Sequence, residues 1–344
     1  MAKPTIEDVA KLAGVSIKTV SRVVNRELNV RESTRDKVER AIARLNYRPN
    51  ISARNLASHH SHLIGLIYDD PSAYDIPSSG YVIHMQQGAL RACTSANYEL
   101  LIHPCRILDK NVDREIKELI EQVRPDGIVL AAPLSNMPKI VNAIAATGVP
   151  FVRVSPGKRN GKQPSVATND REISAEMTRY LASLGHTRIA FIKGNPKHEA
   201  VGNRFLGYRD GLRQSDLPFS EKLVAAGDNS IGSGEACAVE LLEQESRPTA
   251  VFTANDDMAA GVMRVTYRLG IKVPSQLSIA GWDDVALAQQ IYPSLTTIRQ
   301  PLAAMTERAA LALIGAVRRQ SELHGTEIVP ATLRIRDSTG PAPG

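Results

Sequence analysis

Lys18 and Arg22 stand four residues apart, about one helical turn, with Ile17 beside them. Cationic side chains on such a face can donate to guanine O6 and N7, and an isoleucine offers only apolar contact, for instance to a thymine methyl. Around them Thr5, Thr19, Ser21, Asn25, Arg31 and Thr34 are short polar or basic groups able to hold phosphates and fix register without reading sequence. Charge points the same way. Of a net charge of +6, residues 1–62 hold 12 Lys and Arg against 6 Asp and Glu, and residues 63–344 hold 30 against 30. A small basic head on a neutral body suits a polyanion, because phosphate neutralisation supplies most sequence-independent affinity for nucleic acid.

These side chains need helices to present them. Thr5 can cap a first helix, with Asp8 three residues later in the usual place of a capping-box Glu, and Ile6, Val9, Ala10 and Ala13 follow at helical spacing. Gly14 ends that helix, and Ser16 caps a second that runs through Thr19, Val20, Val23 and Val24 to Asn25. The two helices joined by so tight a turn predict a helix-turn-helix, whose second helix enters the major groove. A third helix, from about Thr34 to Leu45, has Val38, Ile42 and Leu45 on one face to cover the other two.

At 344 residues the chain exceeds the ~250–300 at which one core stops growing, so at least two domains are expected. With 43% hydrophobic, 23% charged and 4% aromatic residues, the composition excludes collagen-like, low-complexity and globally disordered chains. No apolar run approaches a bilayer span and no secretory signal opens the sequence, so a cytoplasmic protein with no membrane partner is expected. From residue 63 short apolar runs (63–68, 99–104, 127–132, 151–155, 188–193, 223–227, 250–254 and 277–281) alternate with helical stretches such as Ile173–Leu184 and Ala236–Gln244. This α/β repeat, in two successive series, predicts two similar subdomains of parallel sheet covered on both faces. Ligands in such folds bind beyond the carboxyl ends of the strands. Those ends carry Asp69 and Asp70, Arg153 and Ser155, Asn255 and Asp256, and Trp282, Asp283 and Asp284.

Catalytic and metal chemistry find little support. Cys93, Cys105 and Cys237 form no CxxC pair and read as buried free thiols, with neither disulfide nor metal site. His59, His60 and His62 lie in a linker without carboxylate or thiol partners. Gly227, Gly232 and Gly234 faintly suggest a phosphate loop but lack its lysine, and there is no HExxH or GxSxG. No enzyme, cofactor or metal is expected.

The segment TIEDVAKLAGVSIKTVSRVVN, followed by TRDKVERAIARLNYRPNISARNLA, closely resembles the head of the lactose-repressor/galactose-repressor family of bacterial transcription regulators. GHTRIAFIKG, NRFLGYRDGL, TANDDMAAGVMRV and SIAGWDDVALAQQIYPSLTTIRQP extend the resemblance through the body. It implies a helix-turn-helix head (1–48), a hinge helix and linker (49–62), a periplasmic-binding-protein-like body of two doubly wound parallel α/β subdomains (63–338) and a flexible tail (339–344). The N-subdomain would hold about 63–161 and 293–323 and the C-subdomain about 162–292 and 324–338, with the chain crossing near 161, 292 and 324. The last long helix, Leu302–Val317, would return to the N-subdomain.

In that family the hinge helix forms only when two subunits dock on DNA. Asn50 to Ala57 matches it, and eight residues cannot hold a helix alone, since isolated helices need ~12–15. Leu56 matches the family's wedge, which enters the minor groove and kinks the duplex. Ala53 would let paired hinges approach, and Arg54 would lie along phosphates. In the body Arg204 stands at the family's effector-binding arginine and Asp283 at its effector-binding aspartate, a pair suited to vicinal hydroxyls. Asn255 would add an amide contact and Arg153 a second cation. Trp282 would stack on a sugar ring or pack at the strand end, and Asp70 lies on a loop, with Tyr68, Ser72 and Tyr74, that could close over a ligand. The expected protein is a homodimeric regulator, a repressor first, gripping a near-palindromic double-stranded operator under the control of a sugar or glycoside. An anionic effector stays open, as do an activator or corepressor-dependent regulator, a sugar-binding protein and a sugar-modifying enzyme.

Overall fold

The computed structural model describes residues 4–24, 29–47, 60–70, 80–157, 163–319 and 321–344. They belong to two units, Met1–Ser61 and His62–Gly344.

In the first unit, helix α1 (Ile6–Ala13) opens on a reciprocal cap: Asp8 N donates to Thr5 Oγ1 at 3.3 Å and Thr5 N to Asp8 Oδ2 at 2.8 Å. Two donors that the helix cannot pair internally are thereby satisfied. Gly14, at φ 64, takes the left-handed conformation that closes the helix on the Ala10 and Lys11 carbonyls. Ser16 Oγ then accepts from Thr19 N at 3.2 Å and starts α2 (Ile17–Val24). Helix α3 (Glu32–Leu45) begins two residues ahead of the expected Thr34. Val9, Ala10, Val20, Val23, Val38, Ala41 and Tyr47 close the core between the three helices.

The second unit begins with β1 (Leu63–Asp69), α4 (Gly80–Ala96), β2 (Glu99–Cys105), α5 (Val112–Val123), β3 (Gly127–Ala131), α6 (Pro138–Ala146), β4 (Phe151–Val154) and β5 (Ser165–Ala167). A second series runs α7 (Asp170–Ser183), β6 (Ile189–Lys193), α8 (Glu199–Gln214), β7 (Val224–Ala226), α9 (Ile231–Leu242), β8 (Ala250–Thr253), α10 (Asp256–Arg268), β9 (Ser278–Asp283), α11 (Ala286–Gln290) and β10 (Thr296–Arg299). After these come α12 (Leu302–Arg319), β11 (Thr326–Ile328) and β12 (Thr332–Arg334). Two sheets result, in the orders β11-β5-β4-β3-β1-β2 and β12-β10-β9-β8-β6-β7. Strand alternation divides the first sheet between two cores. Ile64, Leu66, Val129, Val152 and Val154 face α4 and α12, whereas Ile67, Ile128, Leu130 and Phe151 face α5 and α6. A sheet covered on both faces needs such apolar strands.

Two expectations change. The crossings fall later than 161, 292 and 324, because β5 still belongs to the first sheet, β10 to the second and β11 to the first. These strands hold only three or four residues, too few for a periodic signal, and β5 and β11 pair with each other at the sheet edge. The tail at 339–344 is pinned rather than flexible. Thr339 Oγ1 bonds Tyr180 Oη at 2.9 Å, Gly340 N donates to Ser278 Oγ at 3.0 Å, and Ala342 N donates to Leu184 O at 2.8 Å. Helix α12 does pack on the first sheet, through Leu302, Met305, Ala309 and Leu313.

Two glycines separate close packing from mere flexibility. A Cβ on Gly88 of α4 would lie 1.9 Å from the Ala303 carbonyl of α12, while one on Gly202 of α8 meets nothing within 4 Å. Gly88→Ala is expected to cost about 1–3 kcal/mol in chemical denaturation. Gly202→Ala should be neutral or stabilise by up to about 1 kcal/mol. Equal effects would contradict the close α4–α12 approach.

Candidate functional site

The head presents its chemistry on α2. Ile17 is 47% exposed at the start of α2, and Lys18 beside it is exposed. Arg22, one turn on, is half-buried. Among the expected phosphate ligands, Thr5 and Arg31 are exposed and Thr19, Ser21 and Thr34 half-buried. Thr5 and Thr19 already serve helix starts, since the Thr5 hydroxyl donates to Asp8 Oδ2 at 2.9 Å and the Thr19 hydroxyl bonds Ser16 Oγ at 2.9 Å. Asn25, Asn50, Ala53, Arg54 and Leu56 lie outside the described residues.

In the body, the carboxyl ends of both sheets border a cavity of about 310 Å³, at the lower end of the range of small-molecule sites. Tyr81, Val82, Ile107, Leu108, Ala132 and Pro133 line it from the first series; Asn195, Lys197, His198, Val201, Arg204, Asp228, Asn229, Asn255 and Asp283 line it from the second. Arg204 is its electrostatic centre. The guanidinium is buried: Nε donates to Asp170 Oδ1 at 3.3 Å, Nη1 to Ala254 O at 2.6 Å and Nη2 to Gln300 Oε1 at 3.2 Å. Its carbon lies 4.3 Å from the Trp282 ring centroid, and Nη1 stands 4.0 Å from Asp283 Oδ1.

Asp283 carries two marks of a binding position. Its backbone sits at φ 116, a region that side chains rarely adopt, and Oδ1 is buried with no hydrogen-bond partner. Strain and an unmet acceptor together characterise positions held for a ligand. Burial pushes its carboxyl up to about 7, against the lowering pull of Arg204. Behind it Asp256 is fully buried and raised by burial and by Asp283, although Thr297 Oγ1 donates to it at 2.5 Å and Val285 N at 3.0 Å. Across the cavity His198 meets Tyr81 edge-on at 6.0 Å, and burial with Arg204 nearby holds its ring neutral, at about 4.

Placement departs from expectation at two residues, Asp70 and Arg153, and two others, Trp282 and Asn255, are already engaged by the protein. Asp69 lines the cavity where Asp70 was expected, because adjacent strand residues point to opposite faces; Asp70 N instead donates to Cys105 O at 2.8 Å. Arg153 shares a strand face with Phe151 and donates from Nε to Ser135 O at 2.8 Å, away from the cavity lining. Trp282 is fully buried with Arg204 over its ring, so it packs at the strand end and presents no face to a sugar. Asn255 does border the cavity, but its amide is engaged as the cap of α10 and as donor to Asn229 O at 2.8 Å. Sequence reasoning missed Tyr81, His198, Asp170 and Gln300. His198 was findable, since it follows the β6 strand end; Asp170 and Gln300 sit at crossings that the pattern misplaced.

A helix-turn-helix head joined to a two-sheet body with a charged cleft defines a ligand-responsive DNA-binding regulator. Residues 5–50 match the lacI family of bacterial regulatory proteins, and residues 178–339 match the periplasmic binding protein-like domain. The probable HTH-type transcriptional repressor ExuR of Bacillus subtilis (strain 168) is 31% identical over 335 residues, covering 97% of this chain and 98% of the relative. The ribose operon repressor of Escherichia coli (strain K12) is 32% identical over 310 residues, covering 90% and 92%. A crystal structure of the Lac repressor dimer bound to operator and the anti-inducer ONPF has a TM-score of 0.80 at 26% identity, covering 98% of this chain and 100% of that one. The chain belongs to the lacI family of bacterial regulatory proteins.

Asp283 sets a testable pH dependence. With its carboxyl moved from the usual 3.8 to about 7, the folded protein keeps a proton that the unfolded chain has lost, so stability falls as pH rises through that window. Asparagine cannot ionise. Asp283→Asn should therefore be more stable than the parent by about 1–3 kcal/mol at about pH 8, with the difference shrinking towards about pH 4. Parallel stability curves across this range would contradict the assignment.

Proposed function

We propose that this protein is a cytoplasmic, homodimeric repressor that grips a near-palindromic operator and alters its grip when a neutral sugar or glycoside fills the cleft. It acts by binding, without turnover. The observation that carries the effector class is the charge balance around Arg204, which already faces Asp170 and Asp283. Two carboxylates, Asp69 and Asp228, and the partly ionised Asp283 carboxyl border the cavity with two cations, Lys197 and Arg204. An anion would find both cations already matched by carboxyl groups, whereas hydroxyls can donate to Asp283 and accept from amides, and Val82, Ile107, Leu108 and Val201 suit the C–H faces of a sugar ring. The anionic alternative loses support with Arg153 turned away.

Dimerisation is supported by the likeness along nearly the whole chain to the Lac repressor, whose structure is a dimer bound to operator. A two-fold dimer places two copies of α2 in successive major grooves, with the hinge segments and Leu56 at the centre of the site. The effector then works through its preference for one arrangement of the subdomains; a full reversal of occupancy needs about 5.5 kcal/mol of preference.

Operator fragments selected by the protein from a random pool test the head. Lys18→Ala and Arg22→Ala are each expected to weaken binding by about 1–3 kcal/mol and relax sequence preference at one position per half-site. Fragments without two-fold symmetry, or variants that bind like the parent, would overturn the reading.

A further inference from the structure

Cys105 is a buried free thiol at the end of β2, the edge strand of the first sheet. His103, two residues earlier, projects from the same face of the strand, since side chains on a strand repeat every second residue. Glu115, in the first turn of α5, packs over that face, with Oε1 3.0 Å from His103 Nε2. The imidazole nitrogen, the thiol sulfur and a Glu115 oxygen all lie within 4.8 Å of one another. No CxxC pattern announces this cluster, because it joins an alternate strand position to a helix.

We propose that His103, Cys105 and Glu115 form a three-ligand site for a divalent cation of the zinc class, its fourth position open to water. One nitrogen, one sulfur and one oxygen are the donors that zinc and cobalt(II) take tetrahedrally, while magnesium and calcium require oxygen alone. Zn–N, Zn–S and Zn–O bonds of about 2.0–2.3 Å place such ligands roughly 3.5 Å apart, so side-chain rotation of about an ångström closes the shell. Binding replaces the thiol proton: the Cys105 S–H bond breaks, a metal–thiolate bond forms and the proton leaves to solvent. Burial first, and then the negative charges of Glu115 and Asp69, oppose a bare Cys105 thiolate, and a cation beside the sulfur would offset them. The ion would clip the edge strand to α5. It stands close to the cleft, since Ile107 and Leu108 line the cavity two and three residues after Cys105.

Cobalt(II) added to the metal-stripped full chain tests this, because a thiolate ligand gives a near-ultraviolet charge-transfer band and a tetrahedral shell gives intense visible bands. One equivalent should saturate both signals, zinc should displace them, and either metal should raise the thermal midpoint. Cys105→Ser should abolish the charge-transfer band. His103→Gln, at a partly exposed position that tolerates the change, should weaken cobalt binding by about tenfold or more while the protein stays folded. The proposal is overturned by absence of the charge-transfer band, by its persistence in Cys105→Ser, or by unchanged cobalt affinity in His103→Gln. All these outcomes are independent of whether the cleft binds a sugar.

Discussion

A guanidinium removed from water costs several kcal/mol unless charges and carbonyls replace its hydration, and the body of this protein is arranged around meeting that demand for Arg204. Ala254 O meets part of it, and Asp170 and Gln300, which meet the rest, come from the crossings between subdomains. Asp170 opens α7 just after the first crossing, and Gln300 stands at the second, donating to Ser155 Oγ of the first subdomain at 3.3 Å while accepting from Arg204. At the third crossing Ala331 N donates to Asn169 Oδ1 at 2.8 Å, next to Asp170. Ligand site and crossing segments therefore share atoms. On the proposed function, a sugar that took up Asp283 and rearranged Arg204 would act directly on the connections between the subdomains, with no long relay inside the body.

The head works by a different balance. Its core is a handful of small aliphatic residues and one tyrosine, its helix starts are fixed by Thr5, Asp8 and Ser16, and its outward face is left to Ile17, Lys18 and Arg22. With its excess of cations, the head is suited to attract any duplex, and on the proposed function the side chains on α2 would discriminate among sequences. On the proposed function, control by the body would consist of permitting or preventing the simultaneous seating of two such heads. Relatives named as repressors, matched along nearly the whole chain, fit this division of labour.

Much of this was legible in the sequence because it rests on local rules. The cap residues, the Gly14 turn and the apolar strands β1, β3, β6 and β8 announce themselves within a few residues. What was hidden depends on distant pairing. Strands β5, β10, β11 and β12 are three or four residues long and exist because a neighbouring edge was available, which moved every crossing. Asp69 and Asp70 could be told apart only by strand phase. Trp282 could by its position stack on a sugar or pack at the strand end, and only the Arg204 guanidinium over its ring decides for packing. The segment after Arg336 carries turn residues that suggest mobility, yet Ser338, fully buried, donates to Ile279 O at 2.6 Å and accepts from Thr296 N at 2.8 Å.

The most direct measurement is operator affinity by fluorescence anisotropy, with and without a sugar found by thermal shift, for the parent chain and Asp283→Asn. The parent should change its affinity with the sugar, and the variant should hold the same operator but respond far less to the sugar, since the head is intact and an amide, with one acceptor oxygen and a donor nitrogen, replaces the ionisable carboxyl. A parent indifferent to every ligand that fills the cleft, or a variant that still responds like the parent, would contradict control of the head through Arg204 and Asp283.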